Sequence, residues 1–247
     1  MSKILVTSGC SFTQPGYVDH LLTWSNYLEQ NLSEYDAIHL GLSSQGNDLI
    51  SRKAIFSISQ LLKTHHPSEL LVGIMWSGPV RHAILMNTPI PNFPKQLSVQ
   101  ENPTAVADKK KWYILAPGTS AYQGKDNGMH SRIYYEYMYD YIGSLVETCE
   151  HILRTQWFLE KHNINYFMST FTGKVLSDAA KTNNETKHLY EQINLDTFLP
   201  VVGEHEWCDE HSGLPFPKKD DMHPGPLQHK KFTDEIIMPF LKEKQYI

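Results

Sequence analysis

The sequence predicts an α/β fold in which a parallel sheet carries helices on both faces. Three observations predict it. Apolar and β-branched runs recur at 3–8 (KILVTS), 36–42 (DAIHLGL) and 70–75 (LLVGIM). The stretches between them, 20–32 and 47–63, place apolar residues at helical spacing. Strand, helix, strand, helix and strand therefore follow one another within the first 75 or so residues, the rhythm of parallel strands joined by crossover helices.

Each element has its own local reason. The first strand is apolar without alternation, as expected of a strand buried on both faces. In 20–32 the apolar positions are Leu21, Leu22, Trp24, Tyr27, Leu28 and Leu32. In 47–63 Leu49, Ile50, Ile55, Phe56, Ile58, Leu61 and Leu62 form a broad apolar face, and Pro67 stops the helix. The rhythm breaks over about 78–130, where Pro79, Pro89, Pro91, Pro94, Pro103 and Pro117 stand among glycines and polar residues. A segment so long without periodicity reads as an inserted lid within a single domain of residues 1–247. A long helix over 134–161, a strand over 165–170, a loop-rich stretch over 172–222 with one short helix near 185–193, and a closing helix over 226–242 complete the chain. The expected architecture is a three-layer α/β/α sandwich around a flavodoxin-like parallel sheet of four or five strands.

Composition narrows the function. The chain of 247 residues is 40% hydrophobic and 20% charged, enough for one large domain with a substantial core. A net charge of −5 argues against a nucleic-acid partner, which calls for a clustered basic face. Lys109-Lys110-Lys111 reads as a solvated loop. Three widely spaced cysteines, Cys10, Cys149 and Cys208, form no disulfide framework. Gly9 interrupts the N-terminal apolar run too early for a signal peptide, and no run reaches the 18 or so apolar residues of a membrane span. The expected setting is cytoplasmic.

In a parallel sheet the ligand site lies beyond the carboxyl ends of the strands. Three turns fall there: 8–11, 42–47 and 76–81. The first, Gly9-Cys10-Ser11-Phe12-Thr13, presents a thiol and hydroxyls. Near the other end of the chain stands Asp220-Asp221-Met222-His223-Pro224-Gly225. An aspartate three residues before a histidine can hold imidazole Nδ1–H and leave Nε2 as a general base.

Together these two blocks resemble those of the SGNH (GDSL-type) hydrolase family, whose first block follows strand one and whose last is Asp-x-x-His before the final helix. The resemblance implies a serine esterase with Ser11 as nucleophile, His223 as general base and acid, and Asp220 orienting His223. It implies no metal and no organic cofactor, and a small-molecule ester as partner. Three departures accompany it. Cys10 stands where the family has aspartate, and is read as a small buried residue. The block after strand two, His39 to Asn47, offers Gly46 as an oxyanion donor. The family's Gly-x-Asn-Asp block after strand three is absent, the chain there reading Gly73-Ile74-Met75-Trp76-Ser77-Gly78-Pro79-Val80-Arg81. Asn47 or Ser77 would then supply the missing donor, Asn47 having helix capping as its alternative role. Arg81 either clamps a substrate carboxylate or folds back onto a loop acid.

The resemblance allows acyl chains, acetylated sugars and other small esters, and the aromatics of the inserted segment favour a carbohydrate ester. Two other functions are open to the same sequence. One is an SGNH-like scaffold that binds a glycan or a protein without turnover. The other is a zinc hydrolase using His205, Cys208 and His211, which recur at intervals of three but lack an evident fourth ligand.

Overall fold

The computed structural model describes residues 3–16, 22–87, 99–101, 110–115, 132–217 and 222–247. Four parallel strands form the central sheet: β1 (Lys3–Ser8), β2 (Tyr35–His39), β3 (Leu70–Trp76) and a strand at Asn165–Thr170. Their order is β2-β1-β3 and then Asn165–Thr170. β1 is paired on both edges, Val6 facing Ile38 on one side and Val72 on the other, and its residues after Lys3 are all buried. Helices on both faces of the sheet are why its sequence does not alternate. An isolated parallel bridge, Met168 to Phe198, lies where a fifth strand would begin.

Helix α1 (Trp24–Asn31) starts at Thr23, whose N–H donates to the Asn26 side chain at 3.1 Å. Residues 17–21, part of the helix expected at 20–32, lie outside the described residues. Helix α2 (Asn47–Leu61) starts at Gly46, with Asp48 in its first turn facing the positive end of the helix dipole. It ends before Pro67, through turns at 62–65, and Pro67 instead opens a short 3₁₀ turn, Pro67–Glu69. His66 caps that turn by accepting from Ser68 N–H.

The described parts of the segment after β3 hold strands that its composition does not predict. They contain an antiparallel sheet of β4 (His82–Asn87), β5 (Val99–Glu101) and β6 (Lys110–Leu115), in the order β4-β6-β5. The expected lid thus includes strand pairing between distant residues, which no local periodicity encodes; residues 88–98, 102–109 and 116–131 lie outside the described ones. One link from this sheet to the parallel domain is Asp48, whose carboxylate accepts Ala83 N–H at 2.7 Å.

The long helix expected from 134 begins later. Residues Tyr134–Met138 form a π-turn, and helix α3 (Tyr141–Lys161) starts only after Asp140 caps it, accepting Gly143 N–H at 2.6 Å. The strand Asn165–Thr170 is β7. Three helices follow, α4 (Asp178–Thr182), α5 (Lys187–Tyr190) and α6 (Glu204–His211). The chain closes with α7 (Pro226–Phe232), a π-turn at Thr233–Ile237 and α8 (Met238–Glu243).

Helices cover the sheet on two sides. α2 meets α3, where Thr155 Oγ1 and Ser51 Oγ lie 2.7 Å apart. α1 meets the closing helices, where Thr233 Oγ1 donates to the Trp24 carbonyl at 3.2 Å. The arrangement is compatible with three layers. One core runs through both sides, from Leu5, Val6, Val72 and Ile74 of the sheet to Leu28, Ile58, Ile152 and Phe232 of the helices. Among the described residues, no helix is long and apolar enough to cross a membrane.

Candidate active site

β1 ends at Ser8, and the chain turns sharply through Gly9 to Gln14. The turn is closed by the N–H groups of Thr13 and Gln14, both donating to the Cys10 carbonyl at 3.0 and 3.1 Å. Gly9 is required here by space. A Cβ on it would stand 2.1 Å from Thr13 Oγ1 and 2.9 Å from the Met75 carbonyl oxygen. Helix α1 holds the far side of the turn. Ser25 Oγ donates to the Thr13 carbonyl at 2.9 Å, and Trp24 Nε1 donates to Thr13 Oγ1 at 3.2 Å. Cys10 points into the core and is fully buried, as expected of a small packing residue.

Ser11 sits on this turn, the elbow at the carboxyl edge of the sheet, and is 4% exposed. Its Oγ lies 2.7 Å from Nε2 of His223, across 212 residues of chain. His223 stands just before Pro224, Gly225 and the first turn of α7, whose opening bond runs from His229 N–H to the Gly225 carbonyl. The imidazole rests on Phe12, ring centroids 4.9 Å apart. Asp220, its expected orienting carboxylate, lies outside the described residues.

Behind Phe12 sits a second histidine. His229 meets it edge-on at 6.4 Å, and its Nδ1 lies 2.6 Å from Glu204 Oε1. Both side chains of this pair are buried, and burial pushes the Glu204 carboxyl above its ordinary range despite the imidazole beside it. The pair ties α6 to α7 immediately under the Ser11–His223 contact. No local pattern in the sequence points to it, since the two residues stand 25 positions apart.

The turn after β2 closes on the elbow. Gln45 Nε2 and Leu42 N–H both donate to the Gly9 carbonyl, at 2.8 and 3.1 Å. Ser44 adopts φ 60°, a left-handed conformation that costs a non-glycine residue roughly 1 kcal/mol. Gly46 follows, and a Cβ there would come within 2.6 Å of the Arg81 carbonyl oxygen. Its small size thus lets the turns after β2 and β3 touch.

Compared with protein-family models, curated proteins and solved structures, the chain matches none.

Asn47 requires a correction. Its amide nitrogen donates to the Ser77 carbonyl at 2.9 Å and to Thr148 Oγ1 at 3.2 Å, while its Oδ1 accepts Ser77 N–H at 2.8 Å. Both amide hydrogens are spent inside the fold, so Asn47 is not a free oxyanion donor. Nor is it the cap of α2, a position held by Gly46. It locks the exit of β3 to α2 and α3. Ser77 is likewise fully buried, with its Oγ accepting from Arg81 Nη1 at 3.1 Å. Arg81 does not fold back onto an acid among the described residues. Its guanidinium lies over the Phe171 ring, 5.2 Å from the centroid.

Other sequence features disperse. His205 Nδ1–H donates to the Met222 carbonyl, Glu206 accepts from Thr172 and Gly173, and His211 stacks on Trp207. Cys208 is buried, which pushes its thiol pKa up. Among the described residues, no group of three or more histidine, cysteine or carboxylate side chains gathers to hold a metal. The tyrosines after 133 do not divide between core and surface along one helix: Tyr134, Tyr135 and Tyr139 cluster half-buried around the π-turn, with Tyr134 against His82, while Tyr137 is exposed. An open groove of about 910 Å³ lies elsewhere, beside β7 and along Leu176, Phe198, Trp207 and Phe240; none of the predicted site residues line it.

Proposed function

We propose that the protein is a serine hydrolase of carboxylic esters built on an SGNH-like, flavodoxin-type scaffold. The observation that carries this reading is the 2.7 Å approach of Ser11 Oγ to His223 Nε2 at the carboxyl end of the sheet. A serine hydroxyl becomes an effective nucleophile only beside a base, and hydrogen-bond distance is the geometric requirement.

In this mechanism His223 Nε2 takes the Ser11 proton as Oγ attacks the ester carbonyl. The tetrahedral oxyanion is held by backbone amides of Ser11 and Gly46. Neither is among the donors that close the elbow or open α2, which run from Thr13, Gln14 and Ile50. His223 then gives its proton to the departing alkoxide. Water, deprotonated by the same imidazole, attacks the acyl-serine and releases the acid. Asp220 orients His223 by the family resemblance. No step needs a metal or an organic cofactor.

A second reading is an SGNH-like scaffold that binds a glycan or protein without turnover. One observation favours it: Asn47 is committed to Ser77 and Thr148, which narrows the oxyanion donors to backbone groups. Removing one such donor costs about 10²–10³ in rate in enzymes that rely on it. Hydrolysis of p-nitrophenyl acetate and butyrate, by wild type and by Ser11→Ala, separates the two. Turnover that disappears in Ser11→Ala supports the esterase. A folded wild type inert on the whole panel supports the binding scaffold.

A further inference from the structure

We propose that Gln45 and Gln14 are positioning residues, which strap the turn carrying Gly46 to the elbow carrying Ser11 and so set the two backbone amides offered to the oxyanion. This rests on the esterase reading above and deepens it.

The two amides belong to different turns, one after β1 and one after β2. The backbone ladder between these segments continues past the strands, through Leu40 N–H on the Thr7 carbonyl at 2.7 Å to Leu42 N–H on the Gly9 carbonyl at 3.1 Å. From there two glutamine side chains tie the turns together in opposite directions. Gln45 Nε2 donates to the Gly9 carbonyl at 2.8 Å, reaching from the second turn into the elbow. Gln14 Oε1 accepts Ser43 N–H at 2.5 Å, reaching from the elbow into the second turn. Their partners fix the orientation of both amides, because a carbonyl needs a donor and a backbone N–H needs an acceptor.

The junction carries costs that packing alone does not require. Gln45 is fully buried, and its Oε1 has no partner among the described residues. A buried acceptor left unpaired is destabilising, and an apolar side chain of the same length would avoid it. What glutamine adds is the Nε2 donor on the residue directly before Gly46. Ser44, directly before Gln45, is held at φ 60°, a conformation that persists only where its surroundings impose it. Strain and an unpaired buried group thus both fall on the residues leading into Gly46. Two amides stabilise an oxyanion only if both point at one oxygen, and a misplacement of about 1 Å costs on the order of 10²-fold. Straps between the two turns therefore act on the transition state rather than on substrate binding.

The test uses p-nitrophenyl acetate and its thiono analogue, in which sulfur replaces the carbonyl oxygen. Sulfur accepts hydrogen bonds weakly, so the thionoester gains little from the two amides. Wild type, Gln45→Met, Gln45→Glu, Gln14→Met and Gln14→Glu are assayed under conditions where urea unfolding shows each folded. Gln45→Met should lower kcat on the oxoester by about 10- to 100-fold, with KM within a few-fold of wild type. Its loss on the thionoester should be only a few-fold, so the oxo-to-thiono ratio falls. Glutamate has opposite consequences at the two positions. Gln45→Glu removes the donor and should lose at least as much as Gln45→Met. Gln14→Glu keeps the acceptor for Ser43 N–H and should recover what Gln14→Met loses. Equal losses on the two esters in Gln45→Met, or wild-type kcat in Gln45→Met or Gln45→Glu, would overturn the positioning role and leave the esterase standing. Gln14→Glu no better than Gln14→Met would overturn the part assigned to Gln14. A folded wild type inert on both esters would overturn the esterase and the positioning role together.

Discussion

Two hydroxyls four residues apart, on Thr7 and Ser11, each meet an imidazole, and the two pairs differ instructively. Thr7 Oγ1 lies 2.8 Å from His39 Nδ1, and His39 Nε2 lies 3.0 Å from Glu29 Oε2. By distance alone this is a complete hydroxyl–imidazole–carboxylate relay. Yet Thr7 is inside β1, fully buried, and stands opposite His39 in the register of β1 with β2. Its carbonyl accepts Leu40 N–H at 2.7 Å. The hydroxyl is part of a strand that cannot turn toward a substrate, and its contact is a brace between β1, β2 and α1. Ser11, also buried, lies beyond the strand end, on a turn whose close packing against Thr13 and Met75 Gly9 permits. The separation of strand interior from strand end, rather than a set of distances, distinguishes the site from its look-alike.

The comparison can be broken most decisively by activity. Ser11→Ala should lower ester hydrolysis at least about 10⁴-fold, and His223→Gln should do nearly the same, because the two act as one unit and their losses do not add. Thr7→Val should leave hydrolysis within a few-fold of wild type. A Thr7→Val enzyme as dead as Ser11→Ala would reverse the assignment of the two pairs.

Stability sharpens it next. Gly9→Ala drives a Cβ into Thr13 and the Met75 carbonyl, so it should destabilise the fold by about 3 kcal/mol. Asn47→Ala orphans both the N–H and the carbonyl of Ser77 and should cost about 2–3 kcal/mol in urea unfolding. An Asn47→Ala protein of unchanged stability but strongly reduced kcat would restore the oxyanion role that the geometry denies it.

A third buried group, outside both pairs, responds to pH. Burial pushes the Asp48 carboxyl up to about 6, above its value in an unfolded chain. The folded state then binds the proton more tightly than the unfolded one. Its contribution to stability is fully present below about pH 4 and is lost as pH rises through about 6, by roughly 2–3 kcal/mol. Asp48→Asn should flatten that part of the stability–pH curve, measured as urea midpoints between pH 4 and 7. The smallest expected effect is at the brace: Thr7→Val should cost about 1 kcal/mol in stability, the usual worth of one buried hydrogen bond.

The contrast also explains how much was legible in the sequence. The strands at 3–8 and 70–75 are readable because burial on both faces makes them largely apolar, the strand at 165–170 from its short aromatic and apolar run, and α2 because its apolar face is broad. The elbow was readable because Gly9 and Ser11 directly follow a strand. The small antiparallel sheet was not, since the pairing of His82 with Leu115 is a long-range event that leaves no local period. The late start of α3 was hidden because Tyr134–Met138 has helical composition, and only the Asp140 cap reveals the break. Asn47 was misassigned because its residue type suits both a donor to substrate and a clamp on backbone. Only the neighbouring Ser77 and Thr148, 30 and 101 residues away, decide between them. The Glu204–His229 pair and the buried Phe12–Phe171 contact share that character, for each is built between segments remote in sequence.

The central claim is that Ser11 is a nucleophile activated by His223. Reaction of the folded protein with a fluorophosphonate, followed by mass spectrometry of its peptides, tests it most directly. The account predicts a single adduct on Ser11 that is lost in His223→Gln while the protein stays folded. An adduct on Thr7 or Cys10, or none on a protein whose circular dichroism shows it intact, would contradict it.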